Sequence, residues 1–253
     1  MSIRPAAVAG LFYPSGPIML RDMIELELSR VELPDAEPSA RGYIVPHAGY
    51  RFSGSVAAHV YARLRRDADT IERVVLIGPS HRVALRGFAG TAHSGWQTPL
   101  GTADIANTSI VVSDDAFHEQ EHSLEVQVPF LQTVLPGVPI TPVAVGAARS
   151  EEVAQLITEI IDDGSVLLCS TDLSHYLDQS AAQARDRATA DAILGLAPQR
   201  IQRGDACGLF PLRGTLQWAA DQGLTPTELD LRTSADTYGG RDRVVGYSAF
   251  SFI

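Results

Sequence analysis

The stretch VVLIGPSHR, residues 74–82, carries four apolar residues in a row, breaks at Gly78-Pro79-Ser80, and delivers His81. An uninterrupted apolar run of this kind reads as a strand covered on both faces. YIVPHAGYR, residues 43–51, repeats the plan: a short apolar run stops at Pro46 and is followed by His47. SVLLCS, residues 165–170, is a third such strand, and TDLSH behind it brings Asp172 and His175. PITPVAVG, residues 139–146, adds a fourth core strand.

Helical segments alternate with these runs. Residues 15–31 start with Pro17 in a first-turn position and then place Leu20, Ile24 and Leu28 on one face. Residues 53–66 read as a second helix. Residues 150–162 follow with Ser150 as the expected cap and Val153, Leu156, Ile157 and Ile160 at helical spacing. An Ala-rich helix over 179–195 and another over 205–222 complete the set. Residues 86–101, rich in Gly, Thr and aromatics, read as a hairpin, and the tail 243–253 as a strand. HSLEVQVPFLQTVL, residues 122–135, fits two patterns. Leu124, Val126 and Val128 alternate like a strand; Leu124, Val128, Leu131 and Leu135 fit a helix bent at Pro129. With no repeat or linker visible, the expectation is one α/β domain over residues 1–253. It has a mixed, mostly parallel central sheet flanked by helices and joined by right-handed crossovers.

Bulk properties narrow the function. The formal charge of −10 disfavours nucleic acid or an anionic membrane as the main partner. Every basic residue is arginine, so Schiff-base, Walker-type and lysine-base chemistry are excluded. Cys169 and Cys207 form neither a disulfide framework nor a C-x-x-C pair, which fits a reducing, cytoplasmic setting. AAVAGLFY near the start is too short to span a membrane.

In open α/β sheets, ligands collect outside the carboxyl ends of the strands. His47, His81, Asp172 and His175 all arrive at that edge. Imidazole is the commonest metal ligand, and a catalytic metal takes about three protein ligands with a position left open. Cys207, in GDACGLFP, is the candidate for a third ligand: in the first turn of a helix capped by Asp205, its thiolate would be favoured. A small buried hydrophobe is the plainer reading of Cys207, and Cys169 reads as core. HEQEH, residues 118–122, matches the zinc-hydrolase pattern, but its acidic surroundings and the helix start expected at Ser123 argue against it. His122 then reads as a group lining the site. Tyr50 and Arg51 are candidates for contact with an anionic or phenolic ligand. His59 reads as a packing residue and His93 as a surface group.

Together, RPAAVAGLFYPSG, VPHAGYRFSG, VVLIGPSH, TPLG, EHSLEVQVPFLQ, STDLSHY and GDACGLFP resemble the Memo family, whose bacterial and archaeal members are the B component of the AmmeMemoRadiSam system. The resemblance runs from Arg4 to Pro211. It implies a fold like that of class III extradiol dioxygenases and a helical HSLEVQVPFLQ. It implies a two-His-one-Cys metal site at His47, His81 and Cys207, loaded with Fe(II), Cu or Zn. His175 takes the position of the dioxygenase base with Asp172 close by, and His122 and Tyr50 take substrate-binding positions. The implied activity is a metal-dependent, redox-type reaction on a small molecule, with a radical-SAM protein as a possible partner. A peptide-binding module using the same pocket is the alternative, and a zinc hydrolase at HEQEH a further one.

Overall fold

The computed structural model describes residues 2–253. The strands are β1 (Ile3–Arg4), β2 (Gly42–Val45), β3 (Arg73–Pro79), β4 (Phe88–Ala89), β5 (Gly95–Thr98), β6 (Gly101–Asp104), β7 (Ile140–Val145), β8 (Ser165–Ser170), β9 (His175–Leu177), β10 (Pro226–Thr233) and β11 (Val244–Phe252). The helices are α1 (Pro17–Leu28), α2 (Tyr50–Arg66), α3 (Val128–Val134), α4 (Ser150–Ile160), α5 (Gln179–Leu194), α6 (Leu209–Asp221) and the short α7 (Ser234–Thr237). No helix among the described residues is long and apolar enough to cross a membrane.

The main sheet runs in the order β10-β11-β2-β8-β3-β7-β4, with β9 paired to β11. Its centre, β2-β8-β3-β7, is parallel, and antiparallel strands close both edges. A small sheet of β1, β5 and β6 contains a hairpin over residues 95–104, turning at Pro99-Leu100, later than the 86–101 expected. Side-chain alternation along β3 divides the core in two. Val74 and Leu76 join the layer of α1, α2 and α3, whereas Val75 and Ile77 join that of α4, α5 and α6. All four are fully buried, worth about 1.5–3 kcal/mol each relative to exposure. Cys169 lies in the second layer as an apolar side chain.

Several local expectations change. The helix read from residue 205 begins at Leu209; Asp205 does not cap it, and its carboxylate accepts instead from Gln202 N at 2.6 Å and Arg185 Nε at 2.8 Å. Ser150 is the first helical residue of α4, and Arg149 is its cap. The ambiguous segment is helical, as a 3₁₀ turn at Glu125–Gln127 running into α3. Pro129 lies in the first turn of α3, where a missing N–H costs nothing, so it starts the helix instead of bending it. β10 went unread because its PTELDLRT carries only two leucines and is only half-buried, sitting at the sheet edge against β11.

Helices α4 and α6 touch at Gly214, where a Cβ would overlap the Val153 side chain. Gly214→Val is therefore expected to destabilise the fold by about 1–3 kcal/mol through overpacking, read as a lower thermal midpoint. A midpoint equal to that of the parent protein would contradict this contact.

Candidate metal centre

Because β2, β3 and β8 are parallel, their carboxyl ends share one edge, and the residues just past those ends meet there. Ring centroids of His47 and His81 are 5.2 Å apart, those of His47 and His122 5.3 Å, and those of His81 and His122 4.7 Å. One ligand nitrogen from each of these three histidines lies within 4.8 Å of the other two. Two nitrogens bound to one ion at about 2.0–2.1 Å cannot be much further apart than about 4.2 Å, so small adjustments suffice to close on a common ion.

Cys207 joins from the His47 side, its Sγ 3.2 Å from His47 Nε2. It is carried by the turn before α6, which packs onto the end of β8. Gly208 N donates to Thr171 Oγ1 at 2.9 Å, and a Cβ at Gly208 would meet that oxygen at 2.7 Å. Only glycine allows so close an approach. Asp172 N in turn donates to Cys207 Sγ at 3.3 Å.

Hydrogen bonds fix which imidazole nitrogen is free. Ser170 Oγ donates to Ser123 O at 2.6 Å and accepts from Gln127 Nε2 at 2.8 Å. Its single proton is spent, so the 2.9 Å contact with His47 Nδ1 has the imidazole as donor. Nε2 of His47 thereby keeps its lone pair. Gln127 is itself held by Tyr61 Oη at 2.5 Å and by the Pro46 carbonyl at 3.0 Å. His81 Nδ1 donates to Glu121 Oε1 at 2.9 Å, which frees its Nε2 in the same way. Orientation of ligand histidines by such outer partners is a general feature of metal sites. His122 Nδ1 is buried without a hydrogen-bond partner, 3.2 Å from Glu121 Oε1 but off the line of a bond. An unpartnered buried nitrogen on the third histidine of the group suits a cation.

Glu121 organises this corner. Besides His81 Nδ1, it accepts from the backbone N–H groups of His81, His122 and Ser123. Burial alone would raise its carboxyl, but His122, His81 and the Ser123 amide outweigh that and hold it far below the carboxylate range. Burial lowers His47 well below its ordinary value, reinforced by His122 and His81. The Cys207 thiol is pushed up to about 12 by burial and then by the Asp172 carboxylate. The helix-terminal lowering expected for Cys207 is thus absent without a cation, since Cys207 precedes α6 by two positions. A bound cation reverses that balance.

The depressed His47 carries a sign. Below 6.5 the unfolded chain takes up a proton that the folded chain refuses. The metal-free protein is therefore expected to lose stability as pH falls through that value, by up to about 1.4 kcal/mol per pH unit from this group. Urea midpoints at several pH values between 7.5 and 5 check it; a flat profile contradicts it.

The cavity above the cluster holds about 710 Å³ and is lined by His47, His81, His122, Asp172, His175 and Cys207 among others. Six of the seven residues proposed from sequence therefore face one space. Asp172 Oδ1 accepts from His47 N at 2.7 Å, and burial raises its carboxyl. His175 Nδ1 lies 2.8 Å from the Leu173 carbonyl, so that nitrogen carries the proton and Nε2 is the basic one. Tyr50 is the exception. Its hydroxyl donates to Val126 O at 2.7 Å and its ring packs 4.8 Å from Phe130, so it does not line this cavity. His122, expected as a substrate contact, lines the cavity and also groups with His47 and His81 as a residue that could hold a metal ion.

His118 is also elsewhere: buried, it sits 5.5 Å from Trp96 with Nε2 at 3.1 Å from Ala89 O. HEQEH forms turns, not a helix, so its two histidines do not share a helix face, and the zinc-hydrolase arrangement is not formed. His59 packs within α2, its Nε2 3.6 Å from Asp230. Sequence reasoning missed Glu121 as an anchor; its position directly before His122 was the available signal.

The family model of the Memo-like protein matches residues 4–251. A MEMO1 family protein of Methanopyrus kandleri is 36% identical, aligned over 98% of this chain and 98% of its own. One from Sulfolobus acidocaldarius is 34% identical over 99% of each chain, and one from Methanothermobacter thermautotrophicus 36% identical over 98% of this chain and all of its own. With the match running from β1 into β11 and these relatives aligned nearly end to end, the chain belongs to the Memo family.

Proposed function

We propose that this protein is a metal-dependent enzyme of the oxidoreductase type, acting on a small molecule in the cavity above the histidines. The observation that carries the reading is the convergence of His47, His81 and His122, with Cys207 against His47 Nε2, on one open cavity. Fe(II) is the metal we assign, with Cu and Zn as the other candidates for this mixed nitrogen and sulfur set. When bound, such an ion supplies a Lewis-acidic position left open to dioxygen or substrate.

The chain's own residues do the rest. His47 and His81 present fixed Nε2 lone pairs, and Cys207 offers a sulfur softer than the carboxylate of a facial triad. His175 holds or moves a proton at Nε2, because its Nδ1 is committed to Leu173 O. Phe12, Phe52 and Tyr247 give the cavity apolar walls that limit water. A cytoplasmic setting and a radical-SAM partner belong to the same proposal.

Oxygen uptake by iron-loaded protein offered catechols and simple phenols tests it. Turnover lost on His175→Ala, with metal content kept, is the expected result; uptake unchanged in that variant, or absent with every metal, contradicts the reading. His118→Ala is expected to keep its full metal complement by elemental analysis, since His118 bonds to Ala89 O outside the cavity.

A further inference from the structure

We infer that the cavity is built for a small aromatic carboxylate, with the carboxylate held by Arg82 and Arg243 and the ring lying against Tyr176 and its neighbours. The inference rests on the proposed function only for which end of the ligand faces the histidines.

The charge of the cavity is opposite to that of the chain. The protein carries −10, yet the cations Arg82 and Arg243 line this space, and the one carboxylate that does so is Asp172. Asp172 is buried and already accepts from His47 N. Both arginines are exposed, and neither forms an ion pair or a side-chain hydrogen bond among the described residues. Other arginines are bonded to carboxylates, as Arg65 is to Glu25 and Arg187 to Glu228. Two unpaired guanidiniums on the wall of this pocket, beside Phe12, Phe52 and Tyr176, are donors free for an acceptor.

Tyr176 adds an independent sign. Its backbone has φ of 61°, a left-handed conformation that side chains other than glycine and asparagine rarely take. It follows His175, and its ring meets the His175 ring edge-on at 5.6 Å. The residue is 64% exposed. Tyr176 is the extra residue of a β-bulge where β9 pairs with β11, between Leu177 opposite Val244 and His175 opposite Val245, and such a bulge re-aims a side chain. Here it sets an aromatic face on the cavity wall, with the Arg243 guanidinium 5.0 Å above its centroid. A guanidinium over a ring face still has N–H donors to offer a planar, bidentate acceptor, which a carboxylate is. Phe12, 4.6 Å from His122, and Tyr247 supply further ring surface. A volume of about 710 Å³ suits one such molecule and leaves room for water.

Calorimetric titration of the metal-free protein with benzoate, benzamide and phenyl phosphate tests the inference. Benzoate is expected to bind about tenfold more tightly than its neutral isostere benzamide, with the advantage shrinking as salt is raised. In Arg243→Gln and Arg82→Gln the preference is expected to fall to about threefold or less, while each variant keeps the metal content of the parent protein. Equal binding of benzoate and benzamide, no binding of either, or a preference that survives both substitutions overturns the inference; tighter binding of phenyl phosphate overturns the choice of carboxylate. Metal content of the parent protein decides the histidine site separately. A protein that takes no metal yet prefers benzoate would sink the proposed function and leave the anion site standing.

Discussion

Glu125→Ala is expected to destabilise the fold by about 3–5 kcal/mol, the largest stability effect of any single substitution considered for this chain. Glu125 is fully buried and accepts four bonds: Arg4 Nη1 at 2.6 Å, Tyr13 Oη at 2.6 Å, Ala7 N at 2.8 Å and Val8 N at 2.9 Å. Removing it strands a guanidinium that is itself 1% exposed. Arg4 is also the clamp on the segment behind the site. Its Nε donates to His118 O at 2.7 Å, its Nη2 to Glu121 O at 2.9 Å, and its guanidinium lies 4.6 Å from the Trp96 ring. The damage therefore spreads to the turn that presents Glu121 and His122. Chemical denaturation checks the magnitude, and a loss under about 1 kcal/mol would contradict it. Arg4→Met combined with Glu125→Met is expected to cost less than Glu125→Ala alone, since no unpaired charge remains buried.

Glu121→Gln is expected to weaken metal affinity about 10–100-fold with little change in folding, the range seen when partners of ligand histidines are removed. The carboxylate accepts bonds on both oxygens, from His81 Nδ1 and from three backbone N–H groups. An amide keeps one accepting oxygen and turns an NH₂ toward a donor, so one side of this cradle is lost. His81 is then free to change tautomer and rotate. Competition against a chromophoric chelator measures the effect; affinity within about threefold of the parent protein would show that Glu121 does not position the ligands.

Most of the sheet and much of the site were legible because one physical fact governs both. A strand buried on two faces must be apolar throughout, so β3 and β8 stand out from the sequence, and parallel strands deliver the residues just beyond them to one edge. His47, His81, Asp172 and His175 could be grouped on that ground alone. Cys207 was singled out as a first-turn residue of a helix that in fact begins two positions later, and its approach depends on Gly208 fitting against Thr171, which no pattern reveals. Tyr50 misled because sequence gives its nearness to His47 but not its direction, and the first turn of α2 aims it at α3. Glu121 was hidden inside a motif with a different meaning. β10 was missed because it offers only two leucines, which a bulge sends to opposite layers of the core. Arg82 and Arg243 look like any surface arginine until the cavity is seen, since being unpaired is a property of neighbours in space.

The most direct measurement is an anomalous-scattering map of crystals of the protein as isolated, collected on both sides of the iron, copper and zinc edges. A single peak within about 2.0–2.4 Å of His47 Nε2 and His81 Nε2, with Cys207 Sγ or His122 completing the set, is the expected result. A map with no peak between those side chains, from protein shown to carry stoichiometric metal, would place the ion elsewhere and remove the basis for the proposed chemistry.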